Sequence, residues 1–464
     1  MIKQIFLTFL FAISAMNLFA EAKYIFYFIG DGMGIGHVAT AEAYNREYLD
    51  SDAPLLMLQF PYGGQVWTYS ADDRITDSAA AGTALATGHK TNNGMIGMTA
   101  DSVAVTSIAT ILKSEGYAVG IASTVAGDDA TPASFYAHSV SRHNKYEIAN
   151  QAITSNFDFF AAPVWRGSRD KEGNDNEWKN DMINAGYTIS YGYDDFLANA
   201  IVEKKALLLS NAPQGDQSGF AIDNHFDRLS TQQLTQAALL HLEKRNPEAF
   251  FLMVEGGNID WASHGNDGAT VIKEILDFQK AIDVANQFYL QHPEETLIVI
   301  TADHDTGGLA FGRKDNERKG DFSLIDMQKM SKDGFSEFCK DILMNKKEYK
   351  WGEMKDFLTT NFGFYSKFNL TNNEDSELQE SFETTFIRNE GVDEKTLYSN
   401  FNQFAVKVFD ILNRAMGIGW TSGNHTANFV PVYAIGCGAE KFGRSLNNTE
   451  VPMLILEAAD IDKP

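Results

Sequence analysis

The chain has 464 residues, 44% of them hydrophobic, and a formal net charge of −24. This length allows a large core in one elaborated domain or in two ordinary ones. The acidity argues against binding to nucleic acid or to an anionic membrane, because both need basic patches. Two cysteines, Cys339 and Cys437, are too few for a disulfide framework, and the sequence leaves open whether they pair.

Residues 1–22 have the pattern of a secretory signal peptide. Lys3 gives a basic start, Ile5 to Phe19 is apolar, and Ala20-Glu21-Ala22 has the small-x-small form of a cleavage site. The apolar run is short for a membrane span, and no later stretch is long and uncharged enough to be one. We therefore predict an exported protein, periplasmic or secreted, whose mature chain is not membrane-bound and starts near Lys23.

The first predicted strand, Tyr24 to Ile29, is an apolar run that leads into a glycine-rich stretch containing Asp31. The glycines do not match the spacing of a dinucleotide-binding loop, because Ile35 stands at the position of the third glycine. A carboxylate at the carboxyl end of a core strand suits a metal ligand. The alternative is an aspartate in a tight turn.

An acid and a hydroxyl, Asp77 and Ser78, precede a run of small residues that predicts a helix over Ala79 to Ala86. The helix N-terminus favours an anion, because its N–H groups are unpaired and its dipole is positive there. Ser78 is then either a helix cap or a nucleophilic serine. The choice depends on whether the rest of the chain supplies a group that ionises the hydroxyl.

A predicted helix over 104–114 and a strand over 117–123 lead to the stretch Asp128-Asp129-Ala130-Thr131-Pro132. Pro132 suits a helix start with Thr131 as its cap, and Thr131 could also ligate a metal through its side-chain oxygen. After a further predicted helix, Arg142 is either a surface charge or a bidentate partner for phosphate. Residues 145–240 alternate between helical and strand-like pieces, in which we find no chemistry.

A strand predicted over 250–254 ends in Glu255, and Asp260 and His264 follow it. Asp260 and His264 are four residues apart, so they share one face if this stretch is helical. An isolated pair at this spacing is usually a solvated face. The glycines that follow a core strand here favour ligands instead.

A predicted helix over 270–290 leads to the strand 297–301, which again ends in ligand chemistry at Asp303 and His304. Residues 314–412 carry many charges and phenylalanines, and we interpret them as a largely helical insertion that forms a cap or a dimer contact. His425 lies shortly before a last strand over 430–435. The domain organisation is then a signal peptide at 1–22 and one catalytic domain over 23–464.

Four predicted strands alternate with helices, and each ends near polar, often glycine-flanked residues. This pattern predicts an α/β fold whose site lies outside the carboxyl ends of parallel strands. Carboxylates with imidazoles and no thiolates suit zinc, and all-oxygen positions suit magnesium. The candidate ligands are Asp31, Ser78, Thr131, Glu255, Asp260, His264, Asp303, His304 and His425.

These residues resemble the alkaline phosphatase family in motifs that keep the family's order and span nearly all of the mature chain. The motifs are Gly30-Asp31-Gly32-Met33-Gly34, Thr76-Asp77-Ser78-Ala79-Ala80, Asp129-Ala130-Thr131-Pro132 with Arg142, Val254-Glu255-Gly256 with Asp260 and His264, Thr301-Ala302-Asp303-His304, and His425. The resemblance implies a three-layer α/β sandwich with a central, mostly parallel sheet. It also implies a homodimer.

The resemblance further implies hydrolysis of phosphate monoesters through a phosphoserine at Ser78, with Arg142 gripping the phosphate oxygens and Asp77 orienting Arg142. It assigns the metal ligands to three ions. One zinc is held by Asp260, His264 and His425, a second by Asp31, Asp303 and His304 beside Ser78, and a magnesium by Asp31, Thr131 and Glu255.

Two positions depart from the family's best-known patterns. Asp129 stands where many members carry histidine, and Trp261 stands where others place lysine or histidine that can hold phosphate through water. An uncharged indole there should weaken product binding, and it puts the third metal's identity in doubt. Both residues are expected to line the phosphate site. The rivals are a phosphodiesterase, sulfatase or mutase on the same scaffold and, from another class, an inactive metal-binding surface protein.

Overall fold

The computed structural model describes residues 21–169, 174–199, 204–213, 215–223, 225, 227–312, 320–345 and 348–462. The predicted signal peptide, except for its last two residues, lies outside the described residues. Ala22 is buried, and its N–H donates to the carbonyl of Ala458. The described chain is therefore packed into the fold from this point onward.

Within the described residues, ten strands form one mixed sheet, and short strands form three further pairs. In chain order, the strands are β1 (Tyr24–Ile29), β2 (Tyr62–Trp67), β3 (Ala118–Ser123), β4 (Phe159–Ala161), β5 (Tyr187–Tyr191), β6 (Lys205–Leu209), β7 (Phe250–Glu255), β8 (Thr296–Thr301), β9 (Asp305–Thr306), β10 (Ala310–Phe311), β11 (Glu394–Lys395), β12 (Asn400–Phe401), β13 (Ile418–Gly419), β14 (His425–Thr426), β15 (Val430–Gly436) and β16 (Ser445–Asn447). The main sheet has the order β16-β2-β15-β8-β1-β7-β3-β4-β6-β5.

The four strands predicted from apolar runs are the centre of this sheet. Strands β8, β1, β7 and β3 are neighbours and run parallel, and every residue in them is buried. Continuous burial explains why these strands are apolar throughout, since both faces of a parallel sheet are covered by helices. Strand β15 is antiparallel to both of its neighbours, β8 and β2.

Helices cover both faces of the sheet. They are α1 (Ile35–Glu47), α2 (Ser78–Thr87), α3 (Ile108–Ser114), α4 (Ala130–Ala133), α5 (Lys145–Ser155), α6 (Trp178–Asn184), α7 (Tyr193–Asn199), α8 (Thr231–Arg245), α9 (Asn258–His264), α10 (Gly268–Tyr289), α11 (Ser323–Met327), α12 (Lys332–Met344), α13 (Trp351–Phe362), α14 (Asn372–Phe382), α15 (Gln403–Met416) and α16 (Glu450–Ala458). Helix α10 packs against α1, α8 and α9, whereas α2 packs against α3, α4 and α16. The predicted α/β sandwich with a mostly parallel central sheet is confirmed.

Two helix starts differ from the sequence predictions. The helix predicted over 104–114 begins only at Ile108, because Ser107 caps it by accepting from the N–H of Thr110. Asp129, and not Thr131, is the N-cap of α4. Thr131 is the second residue of that short helix, so its hydroxyl is not used as the cap.

The predicted insertion at 314–412 lies between two short strands that pair with each other. Strand β10 before it pairs antiparallel with β13 after it, and the pair encloses residues 312–417, which contain the predicted insertion. Helices α11 to α15 lie within this range. The ring of Phe335 lies 5.1 Å from that of Phe362 and 6.1 Å from that of Phe404, measured between centroids. The phenylalanines of this stretch thus pack against one another as part of the hydrophobic core, which accounts for its composition.

No helix in the described part of the chain is both long enough and apolar enough to cross a membrane.

Candidate active site

Three carboxylates converge at the carboxyl end of the central sheet. Glu255 is the last residue of β7, and Asp31 and Asp303 each lie two residues beyond the ends of β1 and β8. Ile29 of β1 is in register with both Glu255 and Thr301, so the three strands end at the same level. All three acids are buried. The fold therefore concentrates negative charge in a place shielded from water.

The glycine after Asp31 is required by its surroundings. Gly32 has φ = +71°, and a Cβ added there would lie 2.8 Å from Oδ1 of Asp260. Its N–H donates to Oδ1 of Asp303 at 3.1 Å. A side chain at this position would be strained and would push against the ligand groups.

Several of the buried carboxylate oxygens have no hydrogen-bond donor among the described residues. These oxygens are Oδ1 of Asp31, Oε1 of Glu255 and Oδ2 of Asp260. Burial, followed by the neighbouring acids, raises the pKa of Asp31 well above its usual value. Burial is also the main cause that raises the pKa of Glu255 to about 8 and that of Asp303 to about 6. Buried acids without donors are costly, and bound cations would stabilise them.

A second group consists of Asp260 and two histidines. Nδ1 of His264 lies 2.7 Å from the carbonyl oxygen of Gly423, and Nδ1 of His425 lies 2.9 Å from that of Thr76. A carbonyl only accepts, so each Nδ1 carries the proton and each Nε2 of the neutral ring carries a lone pair. The two Nε2 atoms lie 3.2 Å apart, and Asp260 lies 3.5 Å from the Nε2 of His264.

His304 joins the two groups. Its Nε2 lies 3.2 Å from Oγ of Ser78, 3.3 Å from Oδ2 of Asp303 and 3.4 Å from Oδ1 of Asp31. Its Nδ1 lies 3.1 Å from the hydroxyl of Thr306, which itself donates to Asp260, so Nδ1 carries the proton. Burial, with the neighbouring imidazoles, holds the pKa of His304 well below its usual value. A neutral ring thus turns its lone pair toward Ser78 and the acids.

The ligand atoms form two overlapping sets. One atom each from Asp260, His304 and His425 lie within 4.8 Å of one another, and so do atoms from Asp31, Asp303 and His304. The resemblance assigns His264 to the first set in place of His304. His264 borders this set as well, because its Nε2 lies 3.2 Å from that of His425 and 3.5 Å from Oδ2 of Asp260.

Thr131 and Glu255 also border these acids. The hydroxyl of Thr131 lies 3.4 Å from Oδ2 of Asp303 and also faces Glu255. Oε2 of Glu255 accepts a hydrogen bond from Ser123, which leaves Oε1 open toward the site. This third group offers only oxygen atoms.

Asp77, and not Ser78, is the N-cap of α2. Oδ1 of Asp77 accepts from the N–H of Ala80 at 2.9 Å, and Oδ2 accepts from the N–H of Gly94 at 3.0 Å. Ser78 is the first residue of the helix and only 1% exposed. Because the cap is supplied by its neighbour, the hydroxyl of Ser78 is left to face His304.

Arg142 lies between two aspartates. Its Nη1 donates to Oδ2 of Asp77 and its Nη2 to Oδ1 of Asp129, both at 3.2 Å. Burial alone would lower the pKa of the guanidinium, but Tyr398, Asp129 and Asp77 raise it well above its usual value. Arg142 thus remains charged beside the two groups of ligands.

Two further cations that no sequence motif marked contact Asp129. Nη2 of Arg166 donates to Oδ2 of Asp129 at 3.1 Å, and Nζ of Lys145 lies 3.7 Å from Oδ1. Burial would raise the pKa of Asp129, but Arg166, Lys145 and Arg142 hold it well below its usual value. Arg166 could have been found only from the topology, because it follows the parallel strand β4 and so lies at the same end of the sheet.

Trp261 faces the insertion. Its ring stacks on that of Tyr398 with centroids 4.5 Å apart and planes 10° from parallel. Tyr398 also meets the ring of His264 edge-on at 5.2 Å. The insertion therefore places an aromatic residue against a candidate ligand, and no sequence motif marked Tyr398.

His37 is fully buried and contacts the residues next to two candidate ligands. Nε2 of His37 lies 3.1 Å from Oγ of Ser263, and Nδ1 lies 3.5 Å from Oδ1 of Asp305. Ser263 and Asp305 adjoin His264 and His304 in the chain. Although serine, histidine and aspartate meet here, the group is sealed from solvent and serves as support.

Comparison with known proteins agrees with this geometry. The family model for alkaline phosphatases matches residues 22–159 and 214–461, and the chain belongs to the alkaline phosphatase family. It is 31% identical over 454 residues to alkaline phosphatase 4 of Bacillus subtilis (strain 168), a match that covers 94% of this chain and 89% of the relative. It is 27% identical to the repressible alkaline phosphatase of Saccharomyces cerevisiae over 93% of this chain and 79% of that one.

Solved structures support the same assignment. A cold-active alkaline phosphatase from a psychrophilic Shewanella species superposes with a TM-score of 0.78 at 27% identity, covering 94% of this chain and 99% of that one. The alkaline phosphatase of Thermus thermophilus shares the fold, with a TM-score of 0.76 at 24% identity, covering 95% of this chain and 92% of that one. The protein is accordingly an alkaline phosphatase that hydrolyses phosphate monoesters.

Proposed function

We propose that Ser78 is the nucleophile and that hydrolysis proceeds through a phosphoserine. The observation that carries this proposal is the position of the Ser78 hydroxyl, 3.2 Å from Nε2 of His304, the residue that belongs to both ligand sets. Its place in the first turn of α2 adds unpaired N–H groups and a positive helix end, which favour a bound phosphate. Few groups in the site would contact the alcohol part of an ester, so we expect broad specificity among phosphate monoesters.

We further propose that the protein holds two zinc ions and one magnesium ion. The donor types fit, because the sets containing histidine suit zinc and the all-oxygen set of Asp31, Thr131 and Glu255 suits magnesium. A bound cation would also stabilise the lone pairs of His264 and His425, which face each other, and the acid oxygens that lack hydrogen-bond donors. When bound, the ions would lower the pKa of the Ser78 hydroxyl and offset the charge of the phosphate.

A solved relative supports magnesium at the third position. A variant of the alkaline phosphatase from the Antarctic bacterium TAB5, in which one histidine is replaced by glutamate, has magnesium bound in its M3 site. That protein is 25% identical to this chain, with a TM-score of 0.65. In that variant the introduced carboxylate accompanies bound magnesium, and Asp129 gives this chain a carboxylate near Asp31 and Glu255.

The side chains of this protein have separate tasks in the proposed reaction. The Ser78 oxygen attacks phosphorus as the bond from phosphorus to the alcohol oxygen breaks, and the alcohol leaves with the proton that Ser78 loses. Water then hydrolyses the phosphoserine, which restores the Ser78 hydroxyl and releases inorganic phosphate. Arg142 binds the non-bridging oxygens with the N–H groups that its two aspartates leave unused. Asp77 fixes the start of α2 and the orientation of Arg142 at once. The stacked rings of Trp261 and Tyr398 add no charge beside His264.

Metal content and substrate range test this proposal together. We expect the purified enzyme to contain zinc and magnesium, to lose monoesterase activity on chelation, and to recover it when the ions are returned. Rates with a phosphomonoester, a diester and a sulfate ester should differ strongly in favour of the first. A protein that prefers the diester or the sulfate ester, or one that is unaffected by chelation, would contradict it.

We propose export and assembly into a homodimer from the sequence and the family resemblance. The basic, apolar and small-residue pattern of residues 1–22 supports export to the periplasm or the medium. A homodimer is implied by the family resemblance alone, and sedimentation of the purified protein would test it.

A further inference from the structure

The charges around Asp129 bear on how Arg142 can bind phosphate. Arg142 donates to Asp77 and to Asp129, so one guanidinium faces two carboxylates. If these three groups stood alone, their net charge would be −1. The local potential would then repel a phosphate dianion, and both aspartates would compete with it for the guanidinium.

Arg166 and Lys145 change this balance. They approach Asp129 on different oxygens, Arg166 at 3.1 Å on Oδ2 and Lys145 at 3.7 Å on Oδ1. With these contacts, the carboxylate of Asp129 faces three cations instead of one, although Arg166 is shared with Asp216. Asp129 is buried, so these contacts are only weakly screened by water and salt.

The two cations are held in place by the fold. Nε of Arg166 donates to Asp216 at 2.7 Å, and the backbone N–H groups of Arg166 and Gly167 donate to the carboxylate of Asp128. Lys145 is the first residue of α5, where the helix dipole disfavours a cation, and its Nζ donates to the carbonyl of Asp128 at 3.1 Å. A lysine at an unfavourable helix end, directed at Asp129, points to an electrostatic role.

Arg166 also lies in a part of the chain that the family model does not match. The family model matches residues 22–159 and 214–461, and Arg166 falls between these ranges. Trp261, an uncharged residue, stands where the resemblance places a cation in other members. In this chain the positive charge beside Asp129 comes from Arg142, Arg166 and Lys145.

We propose that Arg166, with Lys145, is a positioning residue for the phosphate site. By neutralising Asp129, the pair leaves the charge of Arg142 available to the phosphate while Asp129 still orients the guanidinium. Arg166 acts through Asp129 and Arg142 and does not touch the substrate. This inference rests on the proposed role of Arg142 in binding phosphate.

The central test compares Arg166→Gln with the parent enzyme, using a phosphate monoester as substrate and inorganic phosphate as inhibitor. We expect KM and the inhibition constant for phosphate to rise about tenfold, while kcat changes by less than about threefold. Arg166→Lys should recover most of this loss, because it restores the charge. Arg169→Gln is the matched control, since this exposed arginine lies three residues along the chain, and it should change neither constant.

A double-mutant cycle separates positioning from direct contact. In an Arg142→Ala background, Arg166→Gln should add less than about twofold to either constant, since the residue through which it acts is gone. A full tenfold effect in that background would overturn the inference in favour of direct contact. An effect on melting temperature alone would also overturn it and leave a purely structural role.

The two proposals can fail separately. If Arg142→Ala leaves KM and phosphate inhibition unchanged, the proposed role of Arg142 is wrong and the inference falls with it. If Arg142→Ala raises both constants and Arg166→Gln does not, only the inference about Arg166 is wrong.

Discussion

The Nε2 atoms of His264 and His425 lie 3.2 Å apart, and the Nδ1 atom of each ring is directed at a backbone carbonyl. The carbonyls fix the tautomers, so two lone pairs face each other next to the carboxylate of Asp260. Such a pair is stable only with a cation between or beside the two nitrogens, either a proton or a metal ion. The backbone thus prepares the histidines as ligands before any ion arrives.

Replacing His425 by alanine should remove one bound ion. We expect the metal content per chain, measured by elemental analysis, to fall by about one zinc, with loss of most monoesterase activity. His138→Ala is the control, because this exposed histidine also directs Nδ1 at a carbonyl, that of Gly97. Full metal content in the His425 variant would contradict the assignment of this residue.

Replacing Ser78 by alanine should abolish turnover without emptying the site. Activity should fall at least about a thousandfold, since the nucleophile is lost while the charges remain. Metal content and melting temperature should stay close to those of the parent enzyme. Mass spectrometry of the parent enzyme quenched in acid should place a phosphoryl group on Ser78, and a phosphoryl group elsewhere would refute the proposal.

The two roles of Asp77 can be separated by two substitutions. Asp77→Ser keeps an oxygen that can cap α2 but loses the contact with Arg142, so KM should rise while stability is nearly kept. Asp77→Ala loses both, and it should cost about 1 kcal/mol more in unfolding free energy than Asp77→Ser. Equal stability of the two variants would show that capping by Asp77 contributes little.

Removing the metals should make stability depend on pH in an unusual direction. Burial raises the pKa of Glu255 from 4.5 to about 8, so between these values the folded chain holds a proton that the unfolded chain has lost. The unfolding free energy then falls as pH rises, by at most about 1.4 kcal/mol per pH unit for this group, and it levels off above the folded-state pKa.

Melting of the chelated protein at several pH values checks this expectation. The melting temperature should be higher near pH 5.5 than near pH 8, and Glu255→Gln should flatten the difference. Metal affinity should show the opposite trend, because binding requires the deprotonated carboxylates. A chelated parent protein that melts at the same temperature across this range would contradict the raised pKa.

Introducing a cation at Trp261 should tighten product binding. We expect Trp261→Lys to lower the inhibition constant for inorganic phosphate, since a positive charge is added near the phosphate site. Trp261→Phe is the control, because it keeps an uncharged ring against Tyr398 and adds no charge. Unchanged or weaker inhibition by phosphate in the lysine variant would contradict the expected gain in product binding.

The central sheet and the ligand positions could be predicted because each rests on local sequence. The strands are continuous apolar runs, and Asp31, Glu255 and Asp303 follow directly at their ends. Their convergence then follows from the rule that parallel strands end at one edge. Membership of the alkaline phosphatase family, inferred from the same motifs, is confirmed.

Residues that reach the site from outside these motifs could not be predicted. Arg166 follows a strand of only three residues, and Tyr398 lies in the insertion, whose packing depends on long-range aromatic contacts. Whether Ser78 is the cap of α2 or a nucleophile was open, because serine serves as a helix cap. Only the hydrogen bond from Ala80 to Asp77 decides it.

The position of β1 between β7 and β8 has a consequence for the order of folding. β1 precedes the other strands of the sheet along the chain, yet both of its neighbours come from beyond residue 249. Until the later strands have formed, Asp31 has neither Glu255 nor Asp303 beside it, and His425 comes later still. Contacts of such long range form slowly, so tight metal uptake should occur late and report a completely folded chain.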